Sequence, residues 1–311
     1  MAPHVVEDAR GLTGAQLGAI ADLERRVVAH DGGRLKLEWG VLQQRSPSEV
    51  HDLLAWDGAV LSGYCGIYEF GSEPELAGAV DPAHRRRGIG TALLDRALEL
   101  VGARRRATVL LVTPRASDAG SRFAEVKGAA FHHAEHHMAL EAPPQGPPAP
   151  RPSTAGLRVR PAADADATAI AAILEDAFGE VAAFAAATGP DDLALVAERD
   201  GTVVGALRLS LENGSAGIYG LAVRPDLRGQ GIGRAVLYET CLEARRRGAG
   251  EVTLEVEVDN DHALGLYTSV GFERRTTEDY FRLAVPSSQA LGRLLRAGGE
   301  ARPSSPRTPR R

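Results

Sequence analysis

Cysteine is nearly absent from this sequence, which has only Cys65 and Cys241 among 311 residues. Two isolated thiols can form neither a disulfide framework nor a CxxC metal site, which excludes a disulfide-stabilised secreted scaffold. Long apolar runs are absent too: none approaches the roughly 20 residues that cross a bilayer, and the sequence does not start with a basic segment followed by an apolar core. We therefore expect a cytoplasmic protein with no membrane partner.

The sequence also lacks an excess of positive charge. Its 36 basic side chains are outnumbered by 41 acidic ones, and the net charge is −5. This balance gives no electrostatic reason to expect a nucleic-acid partner, so any anion-binding site must be built locally. The length and the 44% apolar content suit two globular domains, and both a monomer and a homodimer remain open.

A segment rich in proline and glycine, residues 142–156, divides the chain near its middle. Proline fixes φ and removes a backbone donor, so this segment predicts a semi-rigid linker. We expect an N-terminal domain over residues 1–141 and a C-terminal domain over residues 157–284. Residues 285–311 hold at most one short helix and end in a basic, Pro- and Ser-rich stretch, which we expect to be mostly disordered.

The two halves repeat each other at a constant offset. Pro82, Arg85, Gly88, Gly90 and Gly128 each recur 143 positions later. Such a series indicates a duplicated architecture. Each half predicts the order helix, strand, turn, strand, strand, Gly-rich turn, helix, strand, helix, strand. The expected fold class is α+β, with a mixed sheet in each of two tandem domains.

The sharpest local feature is IYGLAVRPDLRGQGIGRAVL, at residues 218–237. It predicts an apolar strand that ends at Val223, an Arg- and Gly-rich turn, and a helix that begins near Gly233. Backbone N–H groups at such a turn converge on one point, where the helix dipole favours negative charge. The turn therefore predicts an anion cradle. A dinucleotide-binding turn and a nucleotide-hydrolase loop are disfavoured, because RPDLR separates the strand from the glycines and no GK[ST] follows.

This turn resembles that of the Gcn5-related N-acetyltransferase superfamily, whose signature [RQ]xxGxG stands at residues 228–233. A second family element, Asn followed by LYxxxGF, appears at residues 260–272. The resemblance implies acetyl-CoA as the acyl donor and no metal, with the pyrophosphate on the turn and the pantetheine paired with the preceding strand. The second-half residues that it assigns to the coenzyme are Leu221, Ala222, Val223, Arg228, Gly229, Gln230, Gly231, Ile232, Gly233, Arg234 and Asn260.

The resemblance also implies direct attack of a neutral amine on the thioester, with a backbone N–H near Val223 polarising the carbonyl. Tyr267 is then the general acid for the departing thiolate. For the general base we assign Glu255 or Glu257, which share one face of the strand LEVEVD, although a solvated strand face has the same pattern. Tyr280 is expected to line the acceptor pocket. Lesser candidates for the base are Glu180, Glu212, His262 and Asp279.

The first half carries the same signature at residues 85–90, so we expect it to bind coenzyme A as well. The residues assigned there are Gly78, Ala79, Val80, Arg86, Arg87, Gly88, Ile89, Gly90 and Thr91. At the repeat offset, however, Tyr267 corresponds to Ala124 and Asn260 to Ser117. The neighbouring Phe123 cannot donate a proton. The first half is therefore predicted to be degenerate and non-catalytic.

The run FHHAEHH, residues 131–137, raises the question of a metal site, because imidazoles bind Zn, Cu or Ni. Adjacent histidines on a strand point to opposite faces, so the spacing provides no compact ligand set. We interpret the run as part of a closing hairpin and expect no metal.

Tandem domains with a degenerate first copy also resemble the mycothiol synthase family, which acetylates the cysteinyl amine of a glucosaminyl-inositol. RRRGIGTA, residues 85–92, matches that family, and Glu38 falls where the family has a substrate-binding Glu. Gly217 stands where the family has another Glu. We expect an N-acetyltransferase acting on a small-molecule primary amine. The alternatives are a mycothiol-synthase-like enzyme, a protein N-terminal acetyltransferase of the ribosomal-protein type, and a non-catalytic acyl-CoA-sensing module.

Overall fold

A computed structural model describes residues 5–146, 148, 151–179, 192–212 and 214–286. The predicted short helix and basic stretch beyond residue 286 lie outside the described residues, as does Glu180. The helices are α1 (Gly14–Asp31), α2 (Trp39–Gln43), α3 (Ile89–Ala103), α4 (Asp118–Val126), α5 (Ala167–Phe178), α6 (Ile232–Arg246) and α7 (Asp261–Val270). The strands are β1 (Val6–Ala9), β2 (Asp52–Asp57), β3 (Val60–Tyr68), β4 (Glu75–Val80), β5 (Thr108–Pro114), β6 (Ala130–Leu140), β7 (Arg158–Pro161), β8 (Asp192–Arg199), β9 (Thr202–Glu212), β10 (Ser215–Val223), β11 (Glu251–Glu257) and β12 (Glu273–Ala284).

The predicted order of elements is observed in both halves, with additions. The sequence does not predict β1, β7 or α2, because four or five residues are too few to show a periodicity. The longer elements follow their patterns. Helix α1, for example, begins after Thr13, which forms a capping box with Gln16. Among the described residues, no helix is long and apolar enough to cross a membrane.

The twelve strands of the described residues belong to one sheet, in the order β1-β2-β3-β4-β5-β12-β6-β11-β10-β9-β8-β7. The last strand of the second half, β12, lies between β5 and β6 of the first half. Strand β6 in turn pairs with β11 and β12 of the second half. The two halves therefore exchange their closing strands. The predicted hairpin at residues 131–137 is wrong, because both strands that flank β6 come from the other half.

Two pairs of neighbouring strands in the described residues run parallel, and each is paired over a short stretch. Strands β4 and β5 pair over Glu75–Ala77, and β10 and β11 pair over Ser215–Gly217. Beyond these residues the strands of each pair separate, which opens a wedge in each half. Strand β10 also has a bulge opposite β9 between Tyr219 and Ala222, whereas β4 pairs with β3 without a register shift. The second wedge therefore differs from the first in carrying irregular backbone at its edge.

The helices cover both faces of the sheet. Residues of α3 and α6, including Leu93 and Val236, pack on one face. Residues of α1 and α5, including Leu23 and Leu174, pack on the other face. Successive residues of a strand alternate between these faces, so Tyr280 belongs to the α1 side and the next residue to the α3 side. The cradle helices and the α1–α2 region therefore lie on opposite faces.

Candidate active site

The Gly-rich turn of the second half has the backbone that an anion cradle requires. Strand β10 ends at Val223, and a 3₁₀ turn, Pro225–Leu227, leads into the glycines. Gly229 has a φ of 74° and Gly231 a φ of 88°, values that are strained for residues with a Cβ. Gly231 is the N-cap of α6, so the unpaired N–H groups of the first helical turn converge there.

The arginines assigned to this cradle are engaged by the protein itself. Arg228 donates from Nε to the carbonyl of Val223 at 2.9 Å and from Nη2 to Asp176 at 2.6 Å. Arg234 donates to the carbonyls of Ser269 at 3.0 Å and Gly146 at 3.2 Å. Both guanidiniums therefore hold neighbouring segments around the turn, and the cradle offers an anion mainly backbone N–H groups.

The first half builds the same turn with one difference. Arg85 donates to the carbonyl of Val80 at 3.1 Å and pairs with Asp31 at 2.8 Å, in the arrangement that Arg228 has in the second half. Gly88 is the N-cap of α3 with a φ of 90°. At the position of Gly229, however, stands Arg86 with a φ of 64°, which strains an L-residue by roughly 1 kcal/mol.

The phenol that the sequence resemblance assigns as general acid, Tyr267, corresponds to Ala124 in the first half. Tyr267 lies on α7, partly buried against Phe272, with ring centroids 6.1 Å apart. Its hydroxyl has no hydrogen bond to the described residues, and burial raises its pKa to about 12. At the corresponding position Ala124 is fully buried in the first-half core. Among the described residues, the first-half position equivalent to Tyr267 therefore has no phenol that could donate a proton.

Asn260 is the N-cap of α7, with Oδ1 accepting from the N–H of Ala263 at 3.0 Å. Ser117 takes the same place in the first half, where it caps α4 and donates to Asp31 at 2.7 Å. The capping role is thus shared by both halves. A contact between Asn260 and the coenzyme stays a prediction.

A second group of polar side chains lies at the centre of the sheet, on the α1–α2 face. We call it the central charged cluster. Both halves contribute to it, because the exchanged strands β6 and β12 run side by side between β5 and β11. Its members are Arg34, Lys36, Glu38, Glu75, Glu135, Glu255, Glu278 and Tyr280.

Lys36 occupies the middle of this cluster. Its ammonium lies 2.9 Å from Glu255 and 3.4 Å from both Glu75 and Glu135. It also contacts the hydroxyl of Tyr280, which donates to Glu135 at 2.5 Å. Tyr280, expected to line the acceptor pocket, is therefore nearly inaccessible and fixed by these two polar partners. Its ring stacks on His133 of β6, with centroids 4.2 Å apart.

The structure places Glu255 in the cluster but gives it the properties of a weak base. Burial alone would raise its pKa, but Lys36 and Arg34 outweigh burial and lower the pKa to about 2. Arg34 pairs directly with one carboxylate oxygen and Lys36 with the other. Glu257, two residues further along β11, is exposed and outside the cluster contacts. Glu255 is therefore a weak base at neutral pH. Glu257 lies outside the cluster.

Glu38, in contrast, lies in the central charged cluster and has a pKa near neutrality. It precedes α2 and is partly buried, and its carboxyl group has no hydrogen bond to the described residues. Burial and the nearby charge of Glu255 raise its pKa to about 7, against the opposing effects of Lys36 and Arg34. The sequence analysis assigned Glu38 to substrate binding only. Its perturbed pKa was not predictable, because burial and the charge of Glu255 depend on how the two halves pack.

Tyr219 lies on the strand that borders the second wedge, and the charges of Glu38 and Glu255 in the cluster act on it. No sequence motif marks this residue. It lies on β10 at the start of the bulge, and a Cβ at Gly217 would stand 2.6 Å from its ring. Its ring also stacks on Arg208, at 4.3 Å. Burial, followed by Glu38 and Glu255, raises its pKa. A side chain at position 217 would therefore meet the ring of Tyr219, whose hydroxyl responds to the charge of Glu38.

The lesser candidates for the base lie elsewhere or are engaged. Asp279 pairs with Arg115 at 2.6 Å, and His262 is exposed on α7. Glu212 lies against α2, since a Cβ at Gly40 would stand 2.6 Å from its Oε2.

Comparison with known proteins identifies the fold. A model of the acetyltransferase (GNAT) family matches residues 159–272, and a model of an acetyltransferase (GNAT) domain matches residues 50–125. A solved GCN5-related N-acetyltransferase from Sphaerobacter thermophilus superposes with a TM-score of 0.73 at 22% identity, over 92% of this chain and 96% of that one. A tandem GNAT protein from the clavulanic acid biosynthesis pathway gives a TM-score of 0.69 at 20% identity, over 91% of this chain and 100% of that one. The predicted fold of two tandem GNAT domains is confirmed.

The sequence is also similar to that of several mycothiol acetyltransferases. The mycothiol acetyltransferase of Kytococcus sedentarius is 31% identical over 291 residues, covering 86% of this chain and 94% of the relative. That of Streptomyces coelicolor is 29% identical over 303 residues, covering 90% and 96%. The chain belongs to the GNAT family of acetyltransferases, and the prediction of an acetyl-CoA-dependent N-acetyltransferase is confirmed.

Proposed function

We propose that the second half transfers the acetyl group of acetyl-CoA to the primary amine of a small molecule held at the central charged cluster, with Glu38 as general base and Tyr267 as general acid. The observation that carries this proposal is the position of Glu38. Glu38 is a carboxyl of the first half with a pKa of about 7, and its charge acts on Tyr219. Tyr219 lies on β10, the strand that leads into the second cradle.

The donor site follows from the second cradle. The pyrophosphate of acetyl-CoA binds to the N–H groups at residues 229–233, at the start of α6. The pantetheine runs along Leu221–Val223, where β10 has separated from β11. The bulge leaves backbone N–H groups near Gly220 without a regular partner on β9, so they are available to the thioester oxygen. The first cradle binds a second coenzyme without turning it over, because its wedge has neither the bulge nor the phenol.

The acceptor site follows from the charge of the cluster. Five carboxyl groups face two cations there, which favours a protonated amine over an anion. Glu38 takes one proton from the ammonium, which leaves the amine lone pair free to attack. As the C–N bond forms and the C–S bond breaks, Tyr267 gives its proton to the departing thiolate. The attacking nitrogen then loses its second proton, which restores the phenol of Tyr267. The products are an amide and the free thiol of coenzyme A.

Among small-molecule amines we favour an acceptor of the mycothiol type, a cysteinyl amine on a glucosaminyl-inositol. The similarity to mycothiol acetyltransferases extends over most of the chain. Glu38 also occupies the place of a family residue that contacts this substrate. The replacement by Gly217 and the position of Tyr219 change one wall of that site, so a related amine with a different sugar part is the second candidate.

The first experiment is calorimetric titration of acetyl-CoA into the intact chain and into the Gly231→Asp variant, which places a charged side chain in the second cradle. Loss of one site in the variant supports the assignment, and no binding to the intact chain contradicts it.

Acceptors are then compared by the mass of the acetylated product: cysteinyl-glucosaminyl-inositol, glucosamine, a polyamine and a peptide with an N-terminal alanine. Product mass is the required readout, because a cysteinyl acceptor carries a thiol that masks thiol release. Acetylation of the peptide alone would contradict the small-molecule assignment.

A further inference from the structure

The linker lies against the second cradle instead of passing freely between the halves. A Cβ at Gly231 would stand 3.1 Å from Nη1 of Arg151 and 3.4 Å from its Cδ. The hydroxyl of Ser153 donates to the carbonyl of Gln230 at 2.8 Å, and Arg199 donates to the carbonyl of Ser153 at 2.8 Å. The segment that follows Arg151 is therefore held at Ser153 by one hydrogen bond to the Gly-rich turn and one to the end of β8.

The first cradle has no such neighbour. Among the described residues, no atom lies within 4 Å of the place where a Cβ on Gly88 would stand. The two cradles share their backbone, with a positive φ of 90° at Gly88 and 88° at Gly231. A guanidinium beside the cradle is therefore a difference between two copies of one motif and not a general property of the turn.

The guanidinium of Arg151 is available for a ligand. In the described part of the chain it has neither an ion pair nor a hydrogen bond, whereas Arg228 and Arg234 at the same turn are engaged by carbonyls and a carboxylate. A cation beside a helix N-terminus is disfavoured by the helix dipole. An anion between the guanidinium and the N–H groups reverses this effect, because both then face negative charge.

The linker also forms one wall of a pocket next to this guanidinium. Arg151, Pro152, Thr154 and Ala155 line an open pocket of about 360 Å³. This volume is at the lower end of those that hold small molecules. Every residue that lines this pocket belongs to the linker segment.

We propose that Arg151 is a phosphate-binding residue of the second donor site, and that the linker supplies it to hold the pyrophosphate of acetyl-CoA against residues 229–233. The proposal rests on the proposed function, which places acetyl-CoA at this cradle. Arginine suits the role because its planar guanidinium can donate two parallel hydrogen bonds to phosphate oxygens. The linker then acts as part of the donor site.

The test is calorimetric titration of acetyl-CoA into the intact chain and into Arg151→Ala, Arg151→Lys and Arg158→Ala. Arg158 is an exposed arginine of the neighbouring strand β7, so its variant controls for the loss of one positive charge. We expect Arg151→Ala to weaken about tenfold the site that Gly231→Asp removes, as loss of a charged hydrogen bond does. Arg151→Lys should recover part of this loss, and Arg158→Ala should bind like the intact chain.

Two shortened donors separate phosphate binding from a structural effect of the linker. Acetyl-dephospho-CoA keeps the pyrophosphate, so the tenfold loss in Arg151→Ala should persist. S-acetylpantetheine has no phosphate, so its kcat/KM should be the same for the intact chain and for Arg151→Ala. If the loss disappears with acetyl-dephospho-CoA, Arg151 binds the 3′-phosphate and the pyrophosphate assignment is overturned.

Other outcomes separate this inference from the proposed function. Unchanged affinity in Arg151→Ala, together with a site lost in Gly231→Asp, overturns the role of Arg151 and leaves the donor site intact. Tighter binding in Arg151→Ala means that the linker obstructs the cradle, which also overturns it. If Gly231→Asp removes no site, the donor-site assignment itself fails. Melting temperatures of all variants should match within a few degrees, so that folding is not the cause.

Discussion

Tyr280 of β12 donates its hydroxyl to Glu135 of β6 at 2.5 Å, and this hydrogen bond joins the last strands of the two halves. Lys36, from the loop after α1, contacts the same hydroxyl. The three groups lie where the exchanged strands are adjacent, in the middle of the sheet. The acceptor site that we propose is thus built on the junction of the two halves.

Removal of this hydroxyl should destabilise the whole chain. Tyr280→Phe removes the shorter of two polar contacts to Glu135 Oε2 and leaves the contact to Lys36 at 3.4 Å, and we expect the free energy of unfolding to fall by about 1–3 kcal/mol. Because β12 lies between first-half strands, unfolding should remain a single transition in urea. Tyr238→Phe on the surface side of α6 is the matched control and should change stability by less than about 0.5 kcal/mol. Two separate transitions would contradict the exchanged arrangement.

Tyr267→Phe should lower kcat by roughly 10²-fold or more, because the leaving thiolate loses its proton donor. Affinity for acetyl-CoA should stay the same, since the hydroxyl has no hydrogen bond to any described residue that its removal would disturb. Steady-state kinetics and calorimetry measure the two quantities, with Tyr238→Phe again as control. Equal kcat in Tyr267→Phe and the intact chain would exclude Tyr267 as general acid.

The pH dependence of activity should report Glu38. With a pKa of about 7, its carboxyl is protonated at lower pH and cannot accept the amine proton, so kcat/KM should fall as pH drops below about 7. Glu38→Gln should lose this limb and about 10²-fold in kcat/KM. Profiles between pH 5.5 and 9 should be compared with those of Glu273→Gln, an exposed control. If Glu257→Gln abolishes the limb and Glu38→Gln does not, Glu257 is the base.

Glu38 should also affect stability in a pH-dependent way. Its pKa is about 7 in the folded chain, above the ordinary 4.5 of an unfolded chain, so folding disfavours the ionised carboxylate. No cost exists below pH 4.5, where both states are protonated. It grows as pH rises towards 7 and is complete above. Glu38→Gln should therefore raise the melting temperature at pH 8 but not at pH 4.5. An equal effect at both values would exclude an ionisation origin.

The features that the sequence predicts are those encoded locally. The turn at Gly229 and Gly231 is recognisable because a strand, positive-φ glycines and a helix follow one another within 20 residues. Tyr267 is assigned by the resemblance of residues 260–272 to a short family element, which is also local in the chain. The 143-residue repeat identifies the two halves without any structure.

The central charged cluster was not predictable, because its members come from segments far apart in the chain. Glu38 lies in the first half and Glu255 in the second. Only the exchange of β6 and β12 brings their strands and loops together. The alternating pattern of β6 shows which residues share a face, but it does not specify which strands lie beside it. Pairing partners that are distant in sequence leave no periodic signal. The role of Arg151 was missed for the same reason, since the linker composition predicts a spacer but not its docking.

The strand exchange has a consequence for how the gene can be divided. A polypeptide ending near residue 146 would retain β6 but lack β12, and so would expose unpaired edges where its neighbours belong. Such a fragment is expected to associate with its complement, or with copies of itself, through those edges. Two separately produced fragments should therefore recombine into one active enzyme, which makes this chain a natural scaffold for complementation reporters.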